Sequence, residues 1–497
     1  TEILRNMLYP RATESDGTKT SIGESVSDGD GRLDDVGVVV LDEVHYLSDA
    51  YRGTVWEETI IYCPPRVQLL CLSATVGNPD DLAGWIEEVH CSGDVRGQRC
   101  RTIVSDYRPV PLNWHFSMRP GRMWPGLGPL LNRNGTKLNY ELFPFTKEGA
   151  REWEAANGRG PRGGTTNQWG EYESENEADG EYEGGFFRKK SKNEFPKFDG
   201  GRKGGAGGGR GKSYKSGATR GGRGGRGGDA RERGGGRGGG RYGSRGGSFG
   251  APPSPATDRQ ARRRLVPHVE TTVGQLVAAS MLPAVWFIFS RKGCDQAAFY
   301  LADCGAKLVT PREEAEIAAA LNEFEKNNPD AMRPEAVNPL LMGIASHHAG
   351  LLPGWKGLVE NLFQRGLLKV VFATETLAAG VNMPARCSVM SALSKRGDEG
   401  PRMLTSNEFM QMCGRAGRRG YDTVGHVVCC QSPFEGCEEA FDLVIAPPEN
   451  LKSQFSISYG MVLNLLRAGR PLSAVRSIVE RSFGNYLGGR ARREQVR

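Results

Sequence analysis

The segment from Val36 to His45 constrains the fold more than any other part of the chain. It is an apolar run, VGVVVL, that ends in the carboxylates of Asp42 and Glu43. Such a run is typical of a strand buried on both faces of a parallel sheet, which would put the carboxylates at the sheet's carboxyl edge. Open α/β sheets bind ligands at that edge. The sequence therefore predicts an α/β domain with a ligand site beside these two residues.

Two adjacent carboxylates at such an edge are suited to phosphate chemistry. An aspartate there can hold a hydrated Mg2+ that bridges nucleotide phosphates, and a glutamate can take a proton from an attacking water. Asp42 is thus a candidate metal ligand and Glu43 a candidate general base for ATP hydrolysis. A buried strand followed by a solvated acidic turn is the alternative interpretation.

The 497 residues are enough for two or three domains. Residues 1–118 and 266–450 alternate apolar runs with helical patterns, which predicts two parallel-sheet domains. Residues 119–265 are rich in Gly, Arg, Lys and acidic residues and are expected to be a disordered insert. Helical patterns within 451–497 indicate the start of a third domain.

The excess positive charge is confined to one segment. Residues 200–250 contain 13 Lys and Arg against two Asp and Glu, and the rest of the chain has 52 basic and 56 acidic residues. Arg-Gly-Gly triplets begin at Arg220, Arg223 and Arg226, among others. These triplets are suited to flexible, salt-sensitive contacts with RNA phosphates and stacked bases, and a solvated linker is the alternative.

Composition also argues against two other classes of protein. The 11 cysteines form no CxxC pair and have no histidine at zinc-ligand spacing, which favours a reduced intracellular setting without a zinc site. No apolar run is long enough to cross a bilayer, so no membrane partner is expected.

A second constellation, QMCGRAGRRG, occupies Gln411–Gly420. Arg415 and Arg418 are spaced i, i+3, so a helix from Asn407 that continued past Ala416 would project both toward one side. Two guanidinium groups aimed at one point are suited to the charge that spreads over a γ-phosphate during transfer, with surface salt bridges as the alternative. About 370 positions separate these arginines from Glu43, so the predicted centre requires two domains to close on one nucleotide.

These segments, in this order, resemble a superfamily 2 helicase of the Ski-type DExH-box branch. Motif II is matched by Asp42-Glu43-Val44-His45, motif III by Ser73-Ala74-Thr75 and motif IV by Phe289-Ser290-Arg291. The family motif that follows motif IV is matched by His347-His348-Ala349-Gly350. Motif V resembles TETLAAGVNMP from Thr374, and motif VI resembles Gln411–Gly420. The runs PAVWFIFSRKGCDQAA and QFSISYGMVLNLL are similar to the chloroplast DExH-box RNA helicases of plants and algae.

The resemblance implies a fold and an activity. It implies two RecA-like parallel-sheet domains, the first incomplete, followed by the start of a helical or winged-helix domain. It also implies ATP and Mg2+ as cofactors, RNA as partner, unwinding with 3′-to-5′ movement and a chloroplast location, with cytoplasm or nucleus as alternatives. A DNA-repair helicase of the same branch and a non-catalytic RNA-binding scaffold are the alternative functions.

The resemblance further assigns roles to single residues. Asp42 would hold Mg2+, Glu43 would activate water, and Gln411, Arg415 and Arg418 would face the nucleotide from the second domain, with Gly380 and Asn382 beside it. Coupling between the ATP cleft and the nucleic-acid channel would involve His45, Ser73 and Thr75. The nucleic-acid backbone would contact Thr1, Glu2, Arg291 and Thr374.

The chain departs from the family pattern at the phosphate loop. No G-x-x-x-x-G-K-[ST] occurs, and AGGGRGKS from Ala206 to Ser213 has alanine at the first glycine position within the expected disordered insert. Because Thr1-Glu2-Ile3-Leu4 resembles motif Ib, we expect motif I upstream and expect these 497 residues alone to lack most of the affinity for ATP.

Overall fold

The computed structural model describes residues 35–50, 52–64, 66–74, 76–91, 99–105, 107–149, 151–152, 259–378, 383–397, 400–456, 476 and 479–495. The predicted site residues outside these ranges are Thr1, Glu2, Thr75, Arg220, Arg223, Arg226, Gly380 and Asn382. Most of the predicted insert also lies outside them.

The first lobe, residues 35–105, is built around two parallel strands. Strand β1 (Val38–Leu41) pairs in register with β2 (Gln68–Cys71). Helix α1 (Gly53–Tyr62) connects them, and α2 (Pro79–Cys91) follows β2. The βα alternation expected for this part of the chain is therefore present.

The described residues bury β1 on one face only. Val39 and Leu41 are buried in a core with residues of α1 and α2, whereas Val38 and Val40 are 50 and 53% exposed. Successive side chains of a strand point to opposite faces, and both helices contact the same set. The prediction of a strand buried on both faces is therefore wrong within the described part of the chain.

The second lobe contains a seven-stranded sheet. Its strands in chain order are β3 (Leu112–Ser117), β4 (Leu127–Pro129), β5 (Ala284–Phe287), β6 (Ile344–His347), β7 (Val370–Ala373), β8 (Cys387–Met390) and, after a hairpin of β9 (Ser394–Gly397) and β10 (Gly400–Met403), β11 (Gly425–Cys430). Across the sheet the order is β4-β3-β11-β8-β5-β7-β6, and only β4 runs antiparallel to its neighbour.

Two hydrophobic cores lie on opposite faces of this sheet. Val285 and Phe287 of β5 belong to one core, and Ala284 and Trp286 belong to the other. The helices of this lobe are α3 (Arg259–Leu265), α4 (Val269–Ala278), α5 (Arg291–Asp303), α6 (Pro311–Asn327), α7 (Pro334–Leu341), α8 (Pro353–Gln364), α9 (Ser406–Cys413) and α10 (Cys437–Ile445). A mostly parallel sheet buried on both faces confirms the expected α/β, RecA-like architecture.

The boundary between the lobes differs from the predicted one. Strand β3, expected to belong to the first domain, pairs along its whole length with β11 of the second lobe. Leu130 and Leu142, placed by the sequence in a disordered insert beginning at residue 119, are fully buried in the second lobe's core. The pairing joins positions more than 300 residues apart, which no local pattern can indicate.

Residues 449–455, here called the strap, run across the first lobe. The N–H of Gly77 donates to the carbonyl of Glu449 at 2.9 Å, and the N–H of Leu451 donates to Asn78 Oδ1 at 2.6 Å. Leu451 is buried in the first lobe's core, together with Phe483 of helix α11 (Phe483–Gln495). The strap and α11 thus pack on the first lobe, although they follow the second lobe in sequence.

Glu57 of α1 anchors this contact. Its side chain is fully buried, and Oε1 accepts a hydrogen bond from the Ser453 hydroxyl at 2.6 Å while Oε2 accepts one from the Phe483 N–H at 2.9 Å. Burial raises the pKa of Glu57, and these hydrogen bonds oppose the rise. Because the carboxylate binds the strap through one oxygen and α11 through the other, it fixes both to α1.

A charged network holds the β9–β10 hairpin. Lys395 Nζ donates to Glu375, and to Glu408 Oε1 at 2.9 Å. Arg402 donates to both carboxylate oxygens of Glu408, at 2.6 and 2.9 Å. Burial alone would raise the pKa of Glu408, but hydrogen bonds from Arg402, the Thr405 N–H and Lys395 outweigh it and lower the pKa to about 2. The hairpin is thereby tied to the start of α9.

None of the described helices has the length and apolar character needed to cross a bilayer.

Replacing Glu57 by Ala is expected to loosen α11 from α1. The amide of Phe483 loses its acceptor, which costs about 1–3 kcal/mol and should accelerate its hydrogen exchange roughly 5- to 150-fold. Exchange measured by mass spectrometry or NMR checks this. Glu88→Ala, at an exposed position on α2, is the matched control and should leave Phe483 unchanged. Equal exchange at Phe483 in both variants would contradict the anchoring role.

The lowered pKa of Glu408 predicts an acid-dependent loss of stability. Its carboxylate is favoured in the folded state, so it stabilises the fold above its ordinary pKa of 4.5, and this contribution is lost as the pH falls toward about 2. Glu408→Gln should lower the free energy of unfolding at pH 7 by about 1–3 kcal/mol and flatten its decline between about pH 5 and 2.

Urea unfolding over a pH series measures this effect. Glu325→Gln, at an exposed position on α6, is the control and should keep the wild-type profile. A Glu408→Gln profile parallel to that of the control would refute the network's contribution.

Candidate active site

Asp42 and Glu43 directly follow β1, at the carboxyl edge of the two-stranded sheet. Glu43 has φ 57° and ψ 44°, a left-handed conformation that is uncommon for a residue with a side chain. Its N–H donates to Asp42 Oδ1 at 2.9 Å, and a short 3-10 helix, Val44–Ser48, begins immediately afterwards. The turn places two carboxylates at the edge where the sequence predicted a ligand site, and such conformations concentrate at functional sites.

His45 connects motif II to motif III. Its Nδ1 lies 3.2 Å from Glu43 Oε2 and 3.4 Å from the hydroxyl of Ser73, which follows β2. Burial lowers the pKa of His45, while the negative charges of Glu43 and Asp42 oppose that shift. A change at Glu43 can therefore reach Ser73 through one side chain, and Thr75 lies outside the described residues.

Arg415, on the second lobe, is influenced by the charge of the first lobe. Burial lowers the pKa of Arg415, and the negative charge of Glu43 is the largest effect that opposes it. Its Nη2 donates to the main-chain carbonyl of Ala378, in the motif V segment. The structure thus brings the candidate base and one arginine of motif VI within electrostatic reach of each other.

Arg415 and Arg418 do not lie on a common helix. Helix α9 ends at Cys413, so the expected helical continuation, and with it the i, i+3 argument for a common side, is wrong. Arg418 binds Asp422 instead, and Asp422 is its main electrostatic partner. The glycines at 414 and 417 end the helix and redirect the chain between the two arginines.

Gln411 lies on α9, one turn before Arg415. Its Nε2 is buried and has no hydrogen-bond partner among the described residues. A buried amide donor without an acceptor costs free energy, and an acceptor oxygen from a ligand would remove that cost. This observation is consistent with the nucleotide-facing role that the sequence assigns to Gln411.

Arg291 and Thr374 lie at the carboxyl edge of the second lobe's sheet. Arg291 begins α5 shortly after β5, and Thr374 follows β7, the parallel neighbour of β5. Arg291 is exposed, whereas Thr374 is buried and hydrogen-bonded to the Thr376 hydroxyl at 2.9 Å. The edge location is consistent with a backbone contact for Arg291, and Thr374 presents less surface to a strand.

Sequence reasoning missed Asp295, which organises this edge. Its carboxylate accepts from the Ser346 hydroxyl and from Arg333 at 3.2 and 3.4 Å, and lies 3.2 Å from His348 Nε2. It thereby joins α5 to the loop after β6. Asp295 lies four positions after Arg291 of motif IV, and residues with this spacing lie on the same face of a helix. That spacing is the sequence signal by which Asp295 could have been predicted.

Comparisons with known proteins agree with this arrangement. The DEAD/DEAH box helicase family matches residues 17–82. The chloroplastic DExH-box ATP-dependent RNA helicase DExH15 of Arabidopsis thaliana is 40% identical over 98% of this chain and 35% of its own length. The antiviral helicase SKI2 of Saccharomyces cerevisiae is 34% identical over 94% of this chain and 31% of its own.

A bacterial relative extends the comparison. The probable helicase HelY of Mycobacterium tuberculosis is 31% identical over 99% of this chain and 42% of its own length. The chain thus spans 31 to 42% of the length of these three relatives. The similarity covers both lobes and confirms the resemblance carried by the ordered motifs. The chain therefore belongs to the Ski2-type DExH-box helicases of superfamily 2.

Proposed function

We propose that this chain forms part of an ATP-dependent RNA helicase, in which hydrolysis between the two lobes drives remodelling of RNA. The observation that carries the proposal is that the charge of Glu43, on the first lobe, acts on Arg415, on the second lobe. A base on one lobe and a cation on the other become effective together only when the lobes close on a shared nucleotide. Closing and opening of the lobes can then move the protein along a bound strand.

ATP with Mg2+ fits the polar groups of this cleft. No group of three or more His, Cys, Asp or Glu side chains in the described part of the chain could hold a metal by itself. Mg2+ at nucleotide sites commonly uses one or two carboxylates together with substrate phosphates, so Asp42 alone is a sufficient protein ligand. When bound, the ion neutralises charge that develops on the phosphates.

The side chains of the cleft have separate tasks in this proposal. Glu43 accepts the proton of the attacking water, and its contact with His45 transmits the state of the site toward motif III. Arg415 and Arg418 stabilise negative charge on the γ-phosphate. Gln411 supplies an amide donor to the nucleotide. Gly380, Asn382 and Thr75 are proposed to act beside these groups, as family resemblance implies.

RNA is proposed to lie along the carboxyl edge of the second lobe's sheet. Arg291 offers an exposed cation there, and Thr374, Thr1 and Glu2 are proposed as further contacts with the strand. Contacts of this kind are made with phosphate and sugar rather than with the bases, so little sequence preference is expected. Arg220, Arg223 and Arg226 of the Arg-Gly-Gly segment would add salt-sensitive affinity.

The family resemblance also bears on the direction of movement along RNA and on the location in the cell. We infer 3′-to-5′ movement from the family resemblance. The relative DExH15 is described as chloroplastic, which supports a chloroplast location for this protein, with cytoplasm or nucleus as the alternatives.

Glu43→Gln is expected to abolish hydrolysis while preserving RNA binding. The substitution removes the proton acceptor at nearly constant size, so RNA-stimulated phosphate release by the intact protein should fall at least about 100-fold. Glu88→Gln on α2 is the matched control and should retain wild-type rates. Undiminished release by the Glu43 variant would exclude it as the base, and no release by the wild type with RNA would refute the ATPase.

Deleting residues 200–250 is expected to affect RNA affinity more than catalysis. Each lost phosphate contact should reduce the salt slope of single-strand binding by about 0.7, while hydrolysis at saturating RNA persists. Binding titrations at several salt concentrations measure this. If the deletion abolished hydrolysis and Glu43→Gln had no effect on it, the scaffold alternative would be favoured. Stronger stimulation by single-stranded DNA than by RNA would favour the DNA-repair alternative.

A further inference from the structure

Arg418 projects from a turn that Asp422 closes. The N–H of Asp422 donates to the Arg418 carbonyl at 2.9 Å, and the N–H of Arg418 donates to Asp422 Oδ2 at 2.9 Å. Gly417 and Gly420 have φ of 87° and 82°, values that residues with a side chain rarely adopt. The backbone from which Arg418 projects is therefore held by reciprocal hydrogen bonds.

The same carboxylate also binds the guanidinium group of Arg418. Nε donates to Oδ2 and Nη2 donates to Oδ1, each at 2.9 Å. The Asp422 side chain is 2% exposed, and that of Arg418 is 27% exposed. A bidentate pair of this kind is strong and fixes the plane of the guanidinium. It occupies the Nε–Nη2 edge, so the Nη1 donors remain directed away from Asp422.

Two further groups border the pair. Arg386 Nε lies 3.7 Å from Asp422 Oδ1, and the Arg418 guanidinium lies 5.6 Å from the centre of the Tyr421 ring. Asp422 is thus the carboxylate between two arginines. If its charge is lost, Arg418 loses its counterion and faces the repulsion of a second cation.

We propose that Asp422 is a positioning residue for ATP hydrolysis, which orients Arg418 so that its Nη1 edge is presented to the nucleotide phosphates. This inference rests on the proposed function and adds a residue to it. A free arginine must give up rotamer freedom when it meets the transition state, whereas an arginine held by Asp422 has already lost that freedom on folding. Arg415, by contrast, is oriented by the main-chain carbonyl of Ala378.

Steady-state kinetics of a double-mutant cycle test the positioning role. Asp422→Asn should lower the kcat of RNA-stimulated hydrolysis by the intact protein between about 10- and 100-fold, with KM for ATP nearly unchanged. Arg418→Ala should lower kcat as well. Because Asp422 acts through Arg418, adding Asp422→Asn to Arg418→Ala should cause no further loss.

The outcomes of the cycle are distinct. A full additional loss in the double variant, or a change confined to KM, would overturn the proposal, because a purely structural aspartate acts independently of Arg418. Asp442→Asn, at an exposed position on α10, is the matched control and should leave kcat and KM unchanged.

Arginine labelling tests the contact itself and requires no hydrolysis. Phenylglyoxal reacts with guanidinium groups, and peptide mass spectrometry reports the rate at each site. Arg418 should react more slowly than Arg312, whose side chain is 90% exposed. Asp422→Asn should increase the labelling rate of Arg418 several-fold relative to that of Arg312. Equal rates at Arg418 in wild type and variant would overturn the proposal. Accelerated labelling in a protein that cannot hydrolyse ATP would refute the proposed function while the Asp422–Arg418 contact stands.

Discussion

The electrostatic effect of Glu43 on Arg415, exerted from one lobe on the other, is the interaction on which the candidate site depends. A guanidinium removed from water needs a counter-charge, and the largest one acting on Arg415 comes from the other lobe. Each lobe therefore holds one half of a charge pair next to the cleft. A nucleotide entering there would add phosphate charge to the same balance, so the proposed hydrolysis would change the electrostatic attraction between the lobes.

The strap connects the two lobes that carry Glu43 and Arg415. It leaves the second lobe after α10 and binds the first lobe next to motifs II and III, through Ser48, Gly77 and Asn78. Glu57 then holds α11 against α1. Because these contacts hold the strap and α11 on the first lobe, we expect α11 to follow the first lobe if the lobes move relative to each other. The strap and α11 are in this way positioned by the first lobe.

Much of the site follows from local sequence. The apolar run before Asp42 and Glu43 predicts a strand and places both carboxylates at its carboxyl edge, because parallel strands present their ends on one side. The sequence predicts Arg415 and Arg418 as a pair of cations, and the prediction that they share a direction depends on one more turn of helix. The chain leaves the helix after Cys413, and Asp422 captures Arg418. Pairing of β3 with β11, which moves the lobe boundary, had no local signal at all.

The sequence by itself determined which chemical groups are present, their order, and the α/β character of the elements that carry them, because these depend on residue type and short-range periodicity. The tertiary structure alone decided which groups meet. The charge of Glu43 acts on Arg415, Asp422 holds Arg418, and Glu57 binds Phe483, and two of these three interactions join residues hundreds of positions apart. Burial and the need to satisfy buried charges select such partners, and both arise only once the chain has packed.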